Sequence, residues 1–157
     1  MTTWLTPHIS KIYEALTAIA DKRIELVSDN EARITSSSRG KFYTITYDPT
    51  TNSIMSNDNT AYYTGSVSYP MLALLMLKGA INYDKSLLKP LSNIVWKDIM
   101  QKYKNDYDKG IEHVLRNLSE QGVDAEEIKA KIDPIYQQAL SLQLNYLGSK
   151  TRPPNAY

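Results

Sequence analysis

The 157-residue sequence contains no cysteine. A disulfide framework, a thiolate zinc site and a cysteine nucleophile are therefore excluded. Histidine is scarce as well, because His8 and His113 are the only two. Two histidines leave little material for an imidazole metal site or a Ser-His-Asp triad. We therefore expect neither a metal nor a cofactor.

Long hydrophobic runs are also missing. The longest nearly apolar run, 70–77, is far shorter than the roughly 20 residues of a membrane-spanning helix. The N-terminus lacks the basic region and apolar core of a signal peptide. We expect a soluble, cytoplasmic protein with no membrane partner.

Neither sign of charge dominates, since 18 Lys and Arg face 17 Asp and Glu and leave a formal charge of +1. No global field directs the chain to nucleic acid or to an anionic membrane, so any charged partner must be met locally. The glycine, histidine and serine spacings of common phosphate-binding, zinc-protease and hydrolase motifs do not occur. Function must therefore be inferred mostly by elimination.

The N-terminal third predicts one helix followed by strands. Thr6 and Pro7 form a helix start, and apolar residues at helical spacing continue it over 7–21. The hydrophobic period then changes to two, and short turn sequences separate the β-rich runs. Gaps this short favour an antiparallel meander. The predicted strands are 23–28, 31–37, 41–48 and 53–57.

The remainder of the chain reads as helical. Asp124 and Glu127 form a capping box, and Pro134 predicts a kink or break that Asp133 recaps. Gly148 ends the last helix. The predicted helices are 69–78, 84–89, 94–104, 106–121 and 125–147.

Together these elements predict an α+β fold. An N-terminal helix and a meander of three to four strands precede a group of helices that covers one sheet face. Residues 1–148 form one globular domain in this interpretation, and 149–157 form a short polar tail.

The connection 61–68 is the first candidate working surface. Tyrosine buries its ring while its hydroxyl seeks water or a partner, and the chain has twelve Tyr against one Phe. Tyr62 and Tyr63 lie in this connection beside Gly65 and Ser66, next to a predicted helix start. Loops on rigid scaffolds commonly carry binding residues.

Gly65, Ser66 and Ser68 admit a second interpretation. Small residues before a helix present free backbone amides at the positive end of the helix dipole, where anions bind. The plainer alternative needs no ligand, because Ser68 then caps the helix and Gly65 makes a turn.

Lys97 and Lys104 suggest a third surface. On the predicted helix 94–104 they lie opposite the apolar side, along one outer face. Such a stripe is usually a solvated helix face, but an acidic protein or a nucleic-acid backbone is an alternative partner.

These features favour a non-enzymatic protein-interaction module, or a subunit or adaptor of a larger assembly, with a protein partner. The first alternative is a nucleic-acid-binding protein that uses the Lys-rich helix face. The second is an enzyme without a short motif, with an anion pocket at the 64–69 helix N-terminus. We assign no catalytic residue.

Overall fold

The computed structural model describes residues 2–155 and has an α+β fold, which confirms the predicted class. Helix α1 precedes four strands, a π-helical turn, four further helices and a short last strand. The helices are α1 Ser10–Ala20, α2 Tyr69–Leu77, α3 Trp96–Lys102, α4 Tyr107–Glu120 and α5 Ala125–Ser141. The strands are β1 Ile24–Ser28, β2 Glu31–Thr35, β3 Phe42–Asp48, β4 Ser53–Ser56 and β5 Asn145–Tyr146.

The predicted meander is present, because β1 to β4 pair antiparallel with their sequence neighbours. A fifth strand extends it, since β5 pairs parallel with β4 and makes the sheet mixed. The N-terminal residues reinforce this edge: the Trp4 N–H donates to the Leu144 carbonyl at 2.8 Å.

The predicted helix 125–147 is too long, because α5 ends at Ser141 and β5 occupies part of its predicted range. Gln143 adopts a positive φ of 50° and turns the chain back toward the sheet. The pairing of Asn145 with Ser53 therefore outweighs the local helical pattern. Pro134 lies inside one continuous helix, so the predicted break and the recapping by Asp133 are wrong.

Other boundaries shift for local reasons. Helix α1 begins at Ser10, whose N–H donates to His8 Nδ1 at 3.0 Å, so Thr6 does not cap it. The predicted helix 84–89 is only a 3₁₀ turn over Lys85–Leu87, capped by Asp84. The cap at Asp124 is present, since its carboxylate accepts the N–H groups of Glu126 and Glu127. The predicted helix 94–104 shortens to α3, and the connection 61–68 begins within the π-helical turn Thr60–Thr64.

Helix α2 is the centre of the core. Its residues from Pro70 to Met76 are all buried, and it packs against α1 and against strands β3 and β4. This explains why its sequence is apolar on every side. The helices therefore cover one sheet face, as predicted. Leu26 is 48% exposed although it is apolar, because it lies on the edge strand β1.

A hydrogen-bonded chain inside the core joins α1 to the segment before α3. The buried Thr17 hydroxyl donates to the Leu91 carbonyl at 2.6 Å and accepts from Trp96 Nε1 at 2.8 Å. Trp96 is itself buried. One hydroxyl therefore satisfies a backbone acceptor and an indole donor that solvent cannot reach.

We predict that Thr17→Val lowers the free energy of unfolding by about 1–3 kcal/mol, because both partners of the hydroxyl lose their bond in a buried place. Urea denaturation measures the effect. Thr46→Val, at an exposed position on β3, is the matched control and should change stability little. Equal stability of the two variants would contradict the role given to Thr17.

Candidate functional site

A polar cavity of about 350 Å³ lies between α1, the β2–β3 connection, β3 and α3. We call it the lysine cavity, because three of its lining residues are lysines. Its volume is in the range of small-molecule sites. The lining side chains come from Lys11, Glu14, Ser36, Ser37, Ser38, Lys41, Tyr43, Asp58, Asn59, Thr60, Tyr69, Lys97, Met100, Gln101, Asn105 and Tyr107.

An ion pair on α1 forms one wall. Lys11 Nζ lies 3.2 Å from Glu14 Oε2, and the two side chains are only 11% and 13% exposed. The Lys11 ammonium also lies over the Tyr107 ring, 4.7 Å from its centroid. Burial lowers the pKa of Lys11, but the charge and hydrogen bond of Glu14, together with the charges of Tyr107 and Asp58, outweigh burial and make the net shift upward. Lys11 therefore stays a cation in this wall.

Two tyrosines, Tyr43 and Tyr69, also line the cavity. Burial raises the pKa of Tyr43 to about 12, with a further contribution from the nearby Asp58 carboxylate. Burial also raises the pKa of Tyr69, although the Arg23 guanidinium acts in the other direction. Arg23 is buried and donates to the Thr35 carbonyl at 2.7 Å. Both hydroxyls therefore remain neutral hydrogen-bonding groups at physiological pH.

Asp58 is buried at the floor of the lysine cavity, and neighbouring groups surround its carboxylate. Oδ2 accepts the hydroxyls of Ser56 and Ser68, each at 2.5 Å, and Oδ1 accepts the Ala61 N–H at 3.0 Å. Hydroxyl and amide donors of this kind stabilise a buried carboxylate. Asp58 therefore shapes the cavity while its own hydrogen bonds are made within the chain.

The rim carries cations without carboxylate partners. Within residues 2–155, neither Lys41 nor Lys97 forms an ion pair. The β2–β3 connection places three serines between them, and Ser37 Oγ accepts the Lys97 N–H at 3.4 Å. The rim thus combines two ammonium groups with hydroxyl groups, which is donor chemistry suited to an anion.

The predicted site residues Tyr62, Tyr63 and Gly65 do not line this cavity. Tyr63 is 72% exposed, and its ring meets that of Tyr62 edge to face at 5.0 Å. Gly65 adopts a φ of +69°, which ends the π-helical turn. Lys150 packs on this turn, since its Nζ donates to the Tyr62 carbonyl at 3.1 Å. The C-terminal segment therefore lies against the connection 61–68.

Ser66 and Ser68 are both buried. Ser68 precedes α2, but its hydroxyl donates to Asp58 and accepts no helix N–H, so the predicted capping by Ser68 is wrong. The structure thus places a carboxylate of the chain itself beside the start of α2. The predicted site residues Tyr62, Tyr63, Gly65, Ser66 and Ser68 lie along one stretch of chain on the C-terminal side of Asp58.

The two predicted lysines separate. Lys97 lies in α3 and lines the lysine cavity. Lys104 is beyond the end of α3 at a positive φ of 53°, is exposed and does not line the cavity. The face expected from a helix over 94–104 is therefore interrupted after Lys102.

Sequence reasoning missed the residues that build the cavity. Lys11 and Glu14 fall one helical turn apart on α1, which reads as an ordinary surface ion pair. Their burial depends on Tyr107 and the β2–β3 connection, which are far away in sequence. Only the serines of 36–38 followed by Lys41 carried a local signal, as a polar and basic connection.

No group of three or more His, Cys, Asp or Glu side chains within residues 2–155 is arranged to hold a metal ion. No helix in the described part of the chain is long and apolar enough to cross a membrane.

We predict that stability falls as pH rises above about 10, the ordinary tyrosine pKa. Tyr43 has a folded pKa of about 12, so the unfolded chain loses the proton first and deprotonation favours unfolding between these values. Urea denaturation from pH 8 to 11.5 measures the decline. Tyr43→Phe should flatten it, whereas Tyr63→Phe, at an exposed ring, should not. An unchanged slope in Tyr43→Phe would contradict the assignment.

Residues 4–145 match the model of a family described as "Uncharacterised conserved protein UCP014422". A search of curated proteins gave no match, and a search of solved structures gave none. The match covers most of the chain, including α1, the meander and the helices. This chain belongs to the family of uncharacterised conserved protein UCP014422.

Proposed function

We propose that this chain is a non-enzymatic binding protein that holds a phosphate-bearing small molecule in the lysine cavity. The observation that carries the proposal is the rim, where Lys41 and Lys97 line one cavity and neither forms an ion pair within residues 2–155. Lysine side chains without ion-pair partners in a polar cavity favour an anionic ligand.

The β2–β3 connection favours phosphate in particular. Ser36, Ser37 and Ser38 line the cavity, and the N–H groups of Ser37 and Ser38 make no hydrogen bond within residues 2–155. Hydroxyl and backbone N–H donors next to lysines are the groups that commonly surround a phosphate. Tyr107 and Met100 then supply apolar area for the rest of the ligand.

Protonation behaviour favours binding over catalysis. General acid–base catalysis is most efficient when the pKa of the catalytic group is near the operating pH. Here the pKa of Lys11 is raised, and that of Tyr43 is raised to about 12. Neither group exchanges protons readily at neutral pH. These side chains are therefore suited to hold charge and hydrogen bonds in place.

A protein-interaction surface at Tyr62 and Tyr63 is the second candidate function. The specific observation is the 72% exposure of Tyr63, a large ring that the chain leaves uncovered. Tyrosine is enriched at the centres of protein interfaces. In this proposal the chain is a subunit or adaptor, and Tyr63 inserts into a pocket of the protein partner.

Two further proposals follow from the sequence. The nucleic-acid alternative rests on Lys97 and Lys104 as phosphate contacts, and it requires binding that weakens steeply with salt.

A cytoplasmic location is supported by the absence of cysteine, which suits a reducing compartment.

We predict that Lys97→Glu weakens the binding of inorganic phosphate and of adenosine monophosphate by about tenfold or more, because it reverses a charge at the rim. Lys104→Glu makes the same charge change outside the cavity and should leave the affinity within about twofold. Isothermal titration calorimetry measures both, with adenosine as the uncharged reference.

Two outcomes would contradict the cavity as the site. Equal losses in the two variants would point to the general charge of this region and favour the nucleic-acid alternative. Absence of any phosphate or adenosine monophosphate binding to the unmodified chain would remove the proposal altogether.

For the second candidate, we predict that changing Tyr62 and Tyr63 together to Ala weakens partner binding by more than about 2 kcal/mol. The partner is first isolated by affinity purification from native cells, and the affinity is then measured with the purified pair. Circular dichroism should be unchanged, because Tyr63 lies on the surface. Normal partner binding by a folded double variant would place the contact surface elsewhere.

A further inference from the structure

A second cavity adjoins the lysine cavity. It has a volume of about 660 Å³ and is lined by residues of the π-helical turn region, by Lys41 and by the C-terminal segment. Lys41 and Asn59 line both cavities, so the two spaces meet at these side chains. We call the second space the tail cavity, because Arg152, Pro153, Pro154 and Asn155 form one of its walls.

We propose that the two cavities are neighbouring subsites of one site, and that its ligand is a pair of nucleotides joined by a phosphodiester. This inference rests on the proposed function, since the lysine cavity holds the first phosphate. The tail cavity holds the second nucleotide, with Arg152 on its phosphate and Tyr63 stacked on its base.

Cations in both spaces carry the first step of the argument. Lys97 lines the lysine cavity, Lys41 lies where the spaces meet, and Arg152 lines the tail cavity. None of the three forms an ion pair within residues 2–155. A single phosphate uses only one end of this arrangement. Successive phosphates of one strand use all of it, and the planar guanidinium of Arg152 suits bidentate contact with a phosphate.

Aromatic rings in both spaces carry the second step. Tyr63 lines the tail cavity, and Tyr107 lines the lysine cavity with its ring under the Lys11 ammonium. The Tyr63 ring is 72% exposed and meets Tyr62 only edge to face, so a face remains open for stacking. Cations beside an exposed aromatic ring are the usual arrangement for binding single-stranded nucleic acid, and Tyr63 between Lys41 and Arg152 in the tail cavity fits it.

Anchoring of the C-terminal segment carries the third step, because a subsite needs a fixed wall. Lys150 donates to the Tyr62 carbonyl at 3.1 Å and lies over the Tyr146 ring, 5.9 Å from its centroid. The ring of Tyr146 in turn stacks on Trp4, with centroids 3.9 Å apart. A side chain at position 65 would meet Tyr146 Oη at 3.2 Å, so Gly65 permits this close approach.

The test compares adenosine monophosphate with the 5′-phosphorylated adenosine dinucleotide and a ten-nucleotide adenosine strand, each titrated calorimetrically into the full chain. We expect the dinucleotide to bind about tenfold or more tightly than the mononucleotide, because it adds one stacked base and one phosphate contact. If the ten-nucleotide strand binds each site with an affinity similar to that of the dinucleotide, two adjacent nucleotides of a longer strand can occupy the site. Weaker binding of the strand means a free dinucleotide.

Variants assign the gain to the tail cavity. Arg152→Ala and Tyr63→Ala should each reduce dinucleotide affinity to that of the mononucleotide while leaving mononucleotide binding unchanged. Arg116→Ala, an exposed arginine on α4 outside both cavities, is the matched control and should change neither affinity. Lys41→Gln should weaken both ligands, because Lys41 lines both spaces.

The failures are distinguishable. If the mononucleotide binds in a Lys97-dependent way but the dinucleotide gains nothing, the joined-subsite inference is overturned and the proposed function stands. If the gain exists but survives Arg152→Ala and Tyr63→Ala, the tail cavity is not the second subsite. If neither ligand binds, both proposals fail together.

Discussion

The buried carboxylate of Asp58 is the constraint on which the rest of this structure depends. Its three hydrogen bonds join the end of β4, through Ser56, to the π-helical turn at Ala61 and to Ser68 at the start of α2. A buried charge is costly unless its hydrogen-bonding capacity is satisfied. The path of the chain from sheet to central helix is therefore fixed where the three donors converge, and the floor of the lysine cavity is fixed with it.

The wall of the lysine cavity also contains buried charges, and here an ion pair compensates them. Lys11 and Glu14 are largely removed from water and compensate each other at 3.2 Å. Such pairs seldom increase stability relative to apolar side chains of similar size, because desolvation offsets the attraction. The Lys11–Glu14 pair lies beside Tyr107 and the serines of the β2–β3 connection. Packing alone does not require buried charged side chains at this position. That is the physical reason to seek the function here.

Local chemistry explains which elements the sequence predicts. Asp124 caps α5 through contacts two and three residues away, and the alternation of β2 and β3 places Ile34 and Ile45 in the core. Tertiary contacts explain the misses. Strand β5 exists because Asn145 meets Ser53, and Lys11 is buried by Tyr107, in both cases across about ninety residues or more. The spacing of residues along the chain does not predict contacts between positions so far apart in sequence. For the same reason the sequence pattern did not predict the lysine cavity, although it did single out Lys97 and Tyr63 as candidate binding residues.

The two ends of the described chain converge on the segment that sequence reasoning singled out. Leu5 pairs with Ser66, Trp4 stacks on Tyr146, and Lys150 donates to the Tyr62 carbonyl. The connection 61–68 is therefore held from both sides, and its buried members serve the fold. Tyr63 is different, because its ring remains exposed on a backbone that these contacts immobilise. An exposed aromatic ring on a fixed backbone loses little conformational entropy on binding, which is the property that a recognition site requires.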